Sequence, residues 1–230
     1  MLPKKYHNED NEPLLRLIRQ GEHQQLDFKL EIDDARKIAR AMAAFANAEG
    51  GRLLIGVKDN GSIAGIRSEE EMYMLQAAAE YYTKPKIQYT VKLWKVNKKT
   101  VLEAYIPTSN KRPHFVQNEK SEWRAYTRID DQNIVMDSIA VNILKEIQRN
   151  KTVKIHFGKD ENNVLTTLQN KSWLTISDIT YETLLPFQIV QQILINFVLL
   201  NVITYKITID GTYFQIDKKV NINQYFYHTH

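Results

Sequence analysis

The spacing of hydrophobic residues changes between two periods along the first part of the chain. Between 35 and 46 apolar residues recur every three or four positions, which predicts a helix with one apolar face. Between 86 and 96 apolar and polar residues alternate, which predicts a strand with one buried face. The same reasoning predicts helices near 14–20, 34–49, 68–82 and 138–149, and strands over 26–30, 52–57, 62–66, 86–96, 100–106 and 122–129.

The pattern is different after residue 160. Three short amphipathic segments, near 162–170, from 175, and over 186–200, precede two strands at 203–209 and 212–216. Asp210-Gly211 separates those strands and is a strong hairpin signal. We therefore predict an α+β fold, with a mixed sheet and helices over 1–150, a small winged-helix-like domain over 151–220, and a tail over 221–230. A strand-like segment at 152–157 would join the two domains.

The composition is that of a globular protein, and it excludes several classes. Of the 230 residues, 43% are hydrophobic, 25% are charged and none is cysteine. Disulfides, thiolate zinc sites and cysteine nucleophiles are therefore excluded. The polar first ten residues do not form a signal peptide, and no apolar run approaches the ~20 residues of a membrane helix. The expected location is the cytoplasm.

The positive charge is concentrated in the middle of the chain. Residues 84–128 contain 11 Lys and Arg against three Asp and Glu, a net charge of +8, although the whole chain carries only +4. Such a stretch predicts contact with a polyanion, because Lys and Arg displace counterions from phosphates. The alternative is a solvated strand face. The predicted nucleic-acid contacts are Lys84, Lys86, Lys92, Lys95, Lys98, Lys99, Lys111, Arg112, Arg124 and Arg128, with Tyr126 stacking on a base. Of these, Arg124, Tyr126 and Arg128 share one face of the strand predicted over 122–129.

Three acidic residues form a candidate catalytic group. Asp27 and Lys29 are two positions apart on one predicted strand, Glu22 precedes that strand, and Asp59 follows the strand over 52–57. If the two strands are neighbours, the three carboxylates would converge. They could then hold Mg²⁺ or Mn²⁺ for phosphodiester cleavage, with Lys29 stabilising the developing charge. The alternative is a solvated strand face and a turn-forming Asp59.

The glycines do not form a nucleotide-binding loop. Gly50-Gly51 follows a predicted helix and opens a strand, whereas a phosphate-binding loop follows a strand and opens a helix. ATP is therefore not an expected cofactor.

Several of these segments together resemble the Schlafen AlbA-like domain family. They are Glu22 with Asp27-Phe28-Lys29, the string from Ala43 to Gly51, the string from Ile55 to Gly65, Lys111-Arg112-Pro113-His114, and Tyr126 with Arg128. The resemblance implies an α+β nucleic-acid-binding domain over about 12–145. In eukaryotic members it implies RNA cleavage by three acids, matched here by Glu22, Asp27 and Asp59. Prokaryotic members joined to winged helices are described as transcriptional regulators. The family usually has Glu where this chain has Asp27.

The charge of the second domain argues against direct DNA contact there. Residues 160–217 contain two Lys and six Asp and Glu, a net charge of −4, and the helix predicted over 186–200 has no Lys or Arg. That helix is also too apolar for one buried stripe. We therefore expect this domain to meet another protein, foremost a second copy in a homodimer.

Three functional hypotheses remain open at this point. The first is a DNA-binding or RNA-binding transcriptional regulator that acts through the basic strands. The second is a divalent-metal-dependent nuclease that uses Glu22, Asp27, Lys29 and Asp59. The third is a protein-interaction module whose basic strands are merely solvated.

Overall fold

The computed structural model describes residues 6–7, 11–150 and 157–220, and the chain divides into two compact units, Met1–Val135 and Met136–His230. The predicted tail and most of the strand predicted over 152–157 lie outside the described residues. In the first unit the helices are α1 (Glu12–Gln20), α2 (Ala35–Asn47) and α3 (Glu70–Tyr81). The strands are β1 (Tyr6–His7), β2 (Leu26–Lys29), β3 (Gly51–Ile55), β4 (Thr83–Lys84), β5 (Thr90–Val96), β6 (Lys99–Ile106), β7 (Phe115–Gln117), β8 (Trp123–Ile129) and β9 (Gln132–Val135).

The first sheet is mixed, which confirms the predicted fold class. Its strand order is β1-β5-β6-β3-β2. β2 and β3 are parallel neighbours with Asp27 opposite Leu53, because α2 connects them as a crossover helix. β6 pairs antiparallel with both β3 and β5. The condition on which the carboxylate prediction depended, adjacency of the two strands, is therefore met.

The observed strands differ from the predicted ones in three places. Residues 62–66 do not form a strand, and only Ile63 makes an isolated bridge, to Val57. The strand predicted from 86 begins at Thr90, so the alternation of apolar residues starts before the strand pairing does. The short strands β4, β7 and β9 were not predicted, since two to four residues carry little periodic signal.

Both faces of the first sheet are packed against helices. One face of the sheet forms a core with residues of α2 and α3, to which Leu53, Ile55 and Ala104 contribute. The alternate positions Leu54 and Phe28 point to the opposite face and form a second core with Leu14 of α1. This is the alternation expected of a sheet covered on two sides. The α2 face consists largely of fully buried alanines, which allow close approach to the sheet.

Gly50 makes the sharp connection between α2 and β3. Its φ of +77° lies in the left-handed region, and a Cβ atom there would be 2.8 Å from the carbonyl oxygen of Ile106. Only glycine fits this position without displacing backbone.

A second sheet in the same unit has the order β4-β7-β8-β9, and α2 packs on it as well. The link is Asn47, which is buried. Its amide donates to the carbonyl oxygens of His114 (2.9 Å) and Tyr126 (2.7 Å), and its oxygen accepts from the backbone N–H of His114 (2.7 Å). The end of α2 is therefore fixed to β8 by hydrogen bonds that are shielded from water.

The second unit has its own core. Its elements are α4 (Ser138–Arg149), α5 (Lys159–Asn170), β10 (Leu174–Thr175), α6 (Ile176–Thr183), α7 (Phe187–Leu199), β11 (Ile203–Thr208) and β12 (Gly211–Ile216). The three strands form a sheet of order β10-β12-β11. In the described part of the chain no single helix has the length and apolar character to cross a membrane; α6 and α7 satisfy that criterion only jointly and are bent by 119°.

Helix α4 belongs to the second unit, whereas we expected it to close the first. Ile139 and Ile143 are buried in one core with Leu165 and Phe197. Asp137 caps α4 by accepting from the N–H of Ala140 (2.9 Å), and it also accepts from the N–H and hydroxyl of Thr212. These contacts join α4 to β12.

Candidate functional site

Asp27, the acidic residue of β2, is buried beside two cations. Asp27 is 3% exposed. One carboxylate oxygen, Oδ1, is 3.3 Å from Nη2 of Arg128, and the other, Oδ2, is 2.7 Å from Nζ of Lys29. Asp27 and Lys29 share a face of β2 because strand side chains alternate, as the sequence indicated. Lys29 also donates a hydrogen bond to the carbonyl oxygen of Phe28.

Arg128 joins β8 to the segment that contains β2. It is 2% exposed, and its Nη2 donates to the carbonyl oxygen of Leu26 at 3.3 Å as well as to Asp27. Nη1 donates to the side chain of Asn133 at 3.2 Å, and the guanidinium lies 5.1 Å from the ring centroid of Phe45. The prediction that Arg128 contacts phosphate is therefore wrong, because its charge is buried and used inside the protein.

Glu22 completes the cluster at its edge. Its Oε1 accepts a hydrogen bond from the backbone N–H of Phe28 at 2.8 Å, and its carboxyl group lies beside the side chain of Asp27. Burial raises the pKa of Glu22, the Phe28 N–H opposes the rise, and the neighbouring Asp27 adds to it. Glu22 therefore keeps its proton to a higher pH than an isolated carboxyl group would.

Asp59 does not join the other two acids. It lies on an exposed turn, and the described residues contain no group of three His, Asp or Glu side chains placed to hold a metal ion. The two acids that do meet have Arg128 and Lys29 as partners, so the cluster has two negative and two positive groups. Mg²⁺ and Mn²⁺ favour sites of several free oxygen ligands. The residues present therefore do not fit a divalent cation.

The basic residues of 84–128 divide between the two sheets. Lys92, Lys95, Lys98 and Lys99 lie on the hairpin of β5 and β6. Lys84 lies on β4 and Arg124 on β8 of the second sheet, while Lys111 and Arg112 precede β7. Lys86 follows β4 and is 3.9 Å from Glu80. The positive charge is therefore carried by two groups of residues rather than one continuous face.

Tyr126 was predicted to stack on a base, and this prediction is also wrong. Its side chain is 9% exposed and belongs to the first core. The sequence correctly placed Arg124, Tyr126 and Arg128 on one face of β8, but α2 covers most of that face.

The aromatic residue that sequence reasoning missed is Trp123. It begins β8 on the opposite face from Tyr126, is partly exposed, and has Nζ of Lys84 4.5 Å from its ring centroid. The signal was present in the alternation of β8, since Trp123 must face away from α2 once Tyr126 and Arg128 are buried against it.

His114, in the Lys111–His114 segment, is buried and hydrogen-bonded within the protein. It is 1% exposed, with Nδ1 2.7 Å from the carbonyl oxygen of Pro85 and Nε2 2.7 Å from the hydroxyl of Ser109. Burial lowers the pKa of His114, and the hydrogen bond to Pro85 partly offsets this. A neutral ring that donates from Nδ1 and accepts at Nε2 satisfies both contacts.

The first unit is thus an α+β domain in which a helix-covered mixed sheet carries a buried acid–base cluster on β2. The chain belongs to the Schlafen AlbA_2 family, whose model matches residues 22–137. The match includes Glu22, Asp27 and Arg128 and confirms the resemblance seen in the sequence. The family is associated with nucleic acids.

Two solved structures are similar to parts of the chain. The DIP2311 protein from Corynebacterium diphtheriae is 22% identical over 57% of this chain, with a TM-score of 0.41, and the match covers 25% of that protein's chain. The N-terminal domain of a DNA helicase RecG-related protein from Nitrosomonas europaea is 19% identical over 66% of this chain and 99% of its own, with a TM-score of 0.38. No curated protein matches the chain.

Proposed function

We propose that this chain is a DNA-binding or RNA-binding regulator whose first unit contacts the phosphate backbone. The observation that carries the proposal is that nine of the eleven predicted contact residues keep solvent-accessible side chains, although Tyr126 and Arg128 do not. Exposed cations on short strands and hairpins can follow a phosphate chain, and family membership supports the same class of partner.

The second unit supports a regulatory role by a different route. Its order of three helices (α5, α6 and α7) followed by the β11–β12 hairpin supports the winged helix predicted from the sequence, and we propose that class for it. Its net negative charge over 160–217 disfavours DNA contact. Tyr181 (79% exposed) and Leu184 (88%) leave apolar surface near the turn between α6 and α7. We propose that this unit pairs with a second copy of the chain.

A nuclease is the second candidate, favoured by the contact between Glu22 and Asp27 beside Lys29. It ranks lower because Arg128 and Lys29 already neutralise the acids and Asp59 lies apart from them. Nuclease chemistry here would require the cluster to rearrange before a divalent cation could bind.

Binding of labelled RNA, single-stranded DNA and duplex DNA at several salt concentrations tests the proposal. Affinity should fall steeply between about 50 and 200 mM salt, as phosphate contacts require. Lys98→Glu and Lys111→Glu test the two basic groups and should each weaken binding and flatten the salt dependence, whereas Lys58→Glu, the same charge change on another exposed turn, should not. Absence of binding to every probe at low salt would favour the protein-interaction hypothesis.

The same experiment with Mn²⁺ separates the regulator from the nuclease. Intact probes after incubation support the regulator. Cleavage that disappears in Glu22→Gln would support the nuclease and place the two acids in its chemistry.

A further inference from the structure

One face of the second sheet carries accessible side chains where β4, β7 and the start of β8 meet, although the same face is buried further along β8 at Ala125 and Thr127. The strand register places Lys84 opposite Phe115, and Gln117 opposite Trp123, so these four side chains share one face. The other face carries Val116 and Tyr126, which are buried against α2. All four residues of the first group retain solvent exposure. This group, hereafter the Trp123 face, combines aromatic surface with positive charge.

The contact between Lys84 and Trp123 identifies which ring surface is accessible. Lys84 is exposed, and its ammonium reaches the indole from solvent, 4.5 Å from the ring centroid. A ring face that an exposed lysine can cover is also a face that an incoming planar group can reach once that lysine moves. An exposed cation–π contact is weaker than stacking of a nucleobase on an aromatic ring, so exchange of one for the other is favourable.

A nucleotide offers a partner for both groups. Its base can replace the ammonium on the indole, and the flexible stem of Lys84 can carry the ammonium to the adjacent phosphate. A base inside a duplex has no free face, because its neighbours already stack on it. The arrangement therefore discriminates between unpaired and paired nucleotides, which contacts to phosphate alone do not.

The other tryptophans do not offer this combination. Trp94 is 2% exposed and donates from its indole nitrogen to Glu103 at 2.6 Å. Trp173 is partly exposed and has Lys206 4.2 Å from its ring centroid, but it lies in the unit that is acidic over 160–217. Trp173 has a similar lysine-to-ring distance to Trp123 without the basic surroundings, which makes it a useful control.

We propose that Trp123 and Lys84 form a binding site for an unpaired nucleotide, in which the base stacks on the indole and the lysine binds the phosphate. This inference rests on the proposed nucleic-acid function and makes it specific, since it predicts a preference for single-stranded segments. It requires no base-specific hydrogen bond, so the preference is for strandedness rather than sequence.

The test compares a fluorescent oligothymidylate of about 12 nucleotides with a blunt duplex of equal length, using the full chain. Trp123→Ala should weaken oligothymidylate binding about tenfold or more, which is about 1.4 kcal/mol, and leave duplex affinity within about twofold. Trp123→Phe should lose less, because a ring remains. Trp173→Ala should leave both affinities unchanged.

Intrinsic fluorescence gives a second measurement that does not depend on tolerance of alanine at position 123. Oligothymidylate should quench the indole emission of the natural chain and of Trp173→Phe, and it should fail to quench that of Trp123→Phe. Equal quenching in Trp123→Phe, or equal oligothymidylate affinity in a folded Trp123→Ala, would overturn the stacking site.

Those results differ from failure of the broader proposal. If the stacking site alone is wrong, Lys98→Glu and Lys111→Glu still weaken binding while the Trp123 variants do not. If nucleic-acid binding is wrong, the natural chain binds neither probe at low salt, and both proposals fail together.

Discussion

Replacement of Arg128 by Met removes the cation that neutralises Asp27 inside the first unit. The change leaves a carboxylate that is 3% exposed with Lys29 as its remaining cationic partner, and it removes the hydrogen bonds to the carbonyl oxygen of Leu26 and to Asn133. Methionine fills much of the arginine volume, so the loss is mainly electrostatic.

The magnitude follows from the burial of the pair. Breaking a buried ion pair by removing one partner costs about 3–5 kcal/mol, because the other charge remains without compensation. Lys29 stays 2.7 Å from Asp27, and its half-exposed side chain can continue to neutralise the acid. We therefore expect the lower end of that range, a loss of about 3 kcal/mol in the free energy of unfolding.

Native-state hydrogen exchange of amides in β2 and β8 is the appropriate assay, since it reports on the first unit whatever the second unit does. The control is Arg16→Met, which breaks a surface pair with Glu12 and should cost less than about 1 kcal/mol. Asp27→Asn combined with Arg128→Met should cost less than the sum of the single changes. A loss for Arg128→Met as small as that for Arg16→Met would refute the description of the cluster as a buried, charge-balanced unit.

Three further predictions follow from single residues. Because the folded state raises the pKa of Glu22, ionisation of Glu22 opposes folding. Thermal unfolding should therefore show that Glu22→Gln gains stability relative to the natural chain as pH rises above 4.5. An equal difference in stability at every pH would contradict this. The pKa of His114 is lowered in the folded state, so its contribution to the free energy of unfolding is present above pH 6.5 and declines as pH falls below that value. His114→Gln should reduce this pH dependence of stability. An unchanged stability profile would show that other groups cause it. Gly50→Ala should lower stability by more than about 1 kcal/mol in urea unfolding, since it combines a left-handed backbone with a contact to Ile106, and an unaltered midpoint would argue against the connection described.

The last prediction concerns metal ions. Since Asp27 is neutralised by Arg128 and Lys29, neither Mn²⁺ nor EDTA should change the thermal unfolding temperature of the full chain. A rise with Mn²⁺ that is absent in Glu22→Gln would show that the cluster opens to bind a cation.

Local patterns predicted the parts of the fold that depend on neighbours in sequence. The apolar periodicity of α2 and the glycines after it predicted that helix to within two residues, and the apolar run after Gly51 predicted β3. The alternation in β8 correctly grouped Arg124, Tyr126 and Arg128 on one face. These features arise within a few residues, where side-chain spacing determines which face is buried.

The site was harder to predict because its contacts join distant parts of the chain. Arg128 and Asp27 are 101 positions apart, and no local pattern indicates that one neutralises the other. The sequence grouped the acids by their positions at strand ends, and that argument was right for Glu22 and Asp27 but placed Asp59 too near. The sequence near β8 also does not indicate which face of that strand α2 covers. That choice buries Tyr126 and leaves Trp123 partly exposed.

The position of α4 determines where this chain can be divided for study. A fragment that ends after Arg149 removes Ile139 and Ile143 from the core of the second unit and separates Asp137 from Thr212. A fragment that ends at Val135 leaves the two cores of the first unit and the core of the second unit whole. Cleavage of the linkage near 135, rather than near 150, would therefore yield the two halves with their own buried surfaces retained.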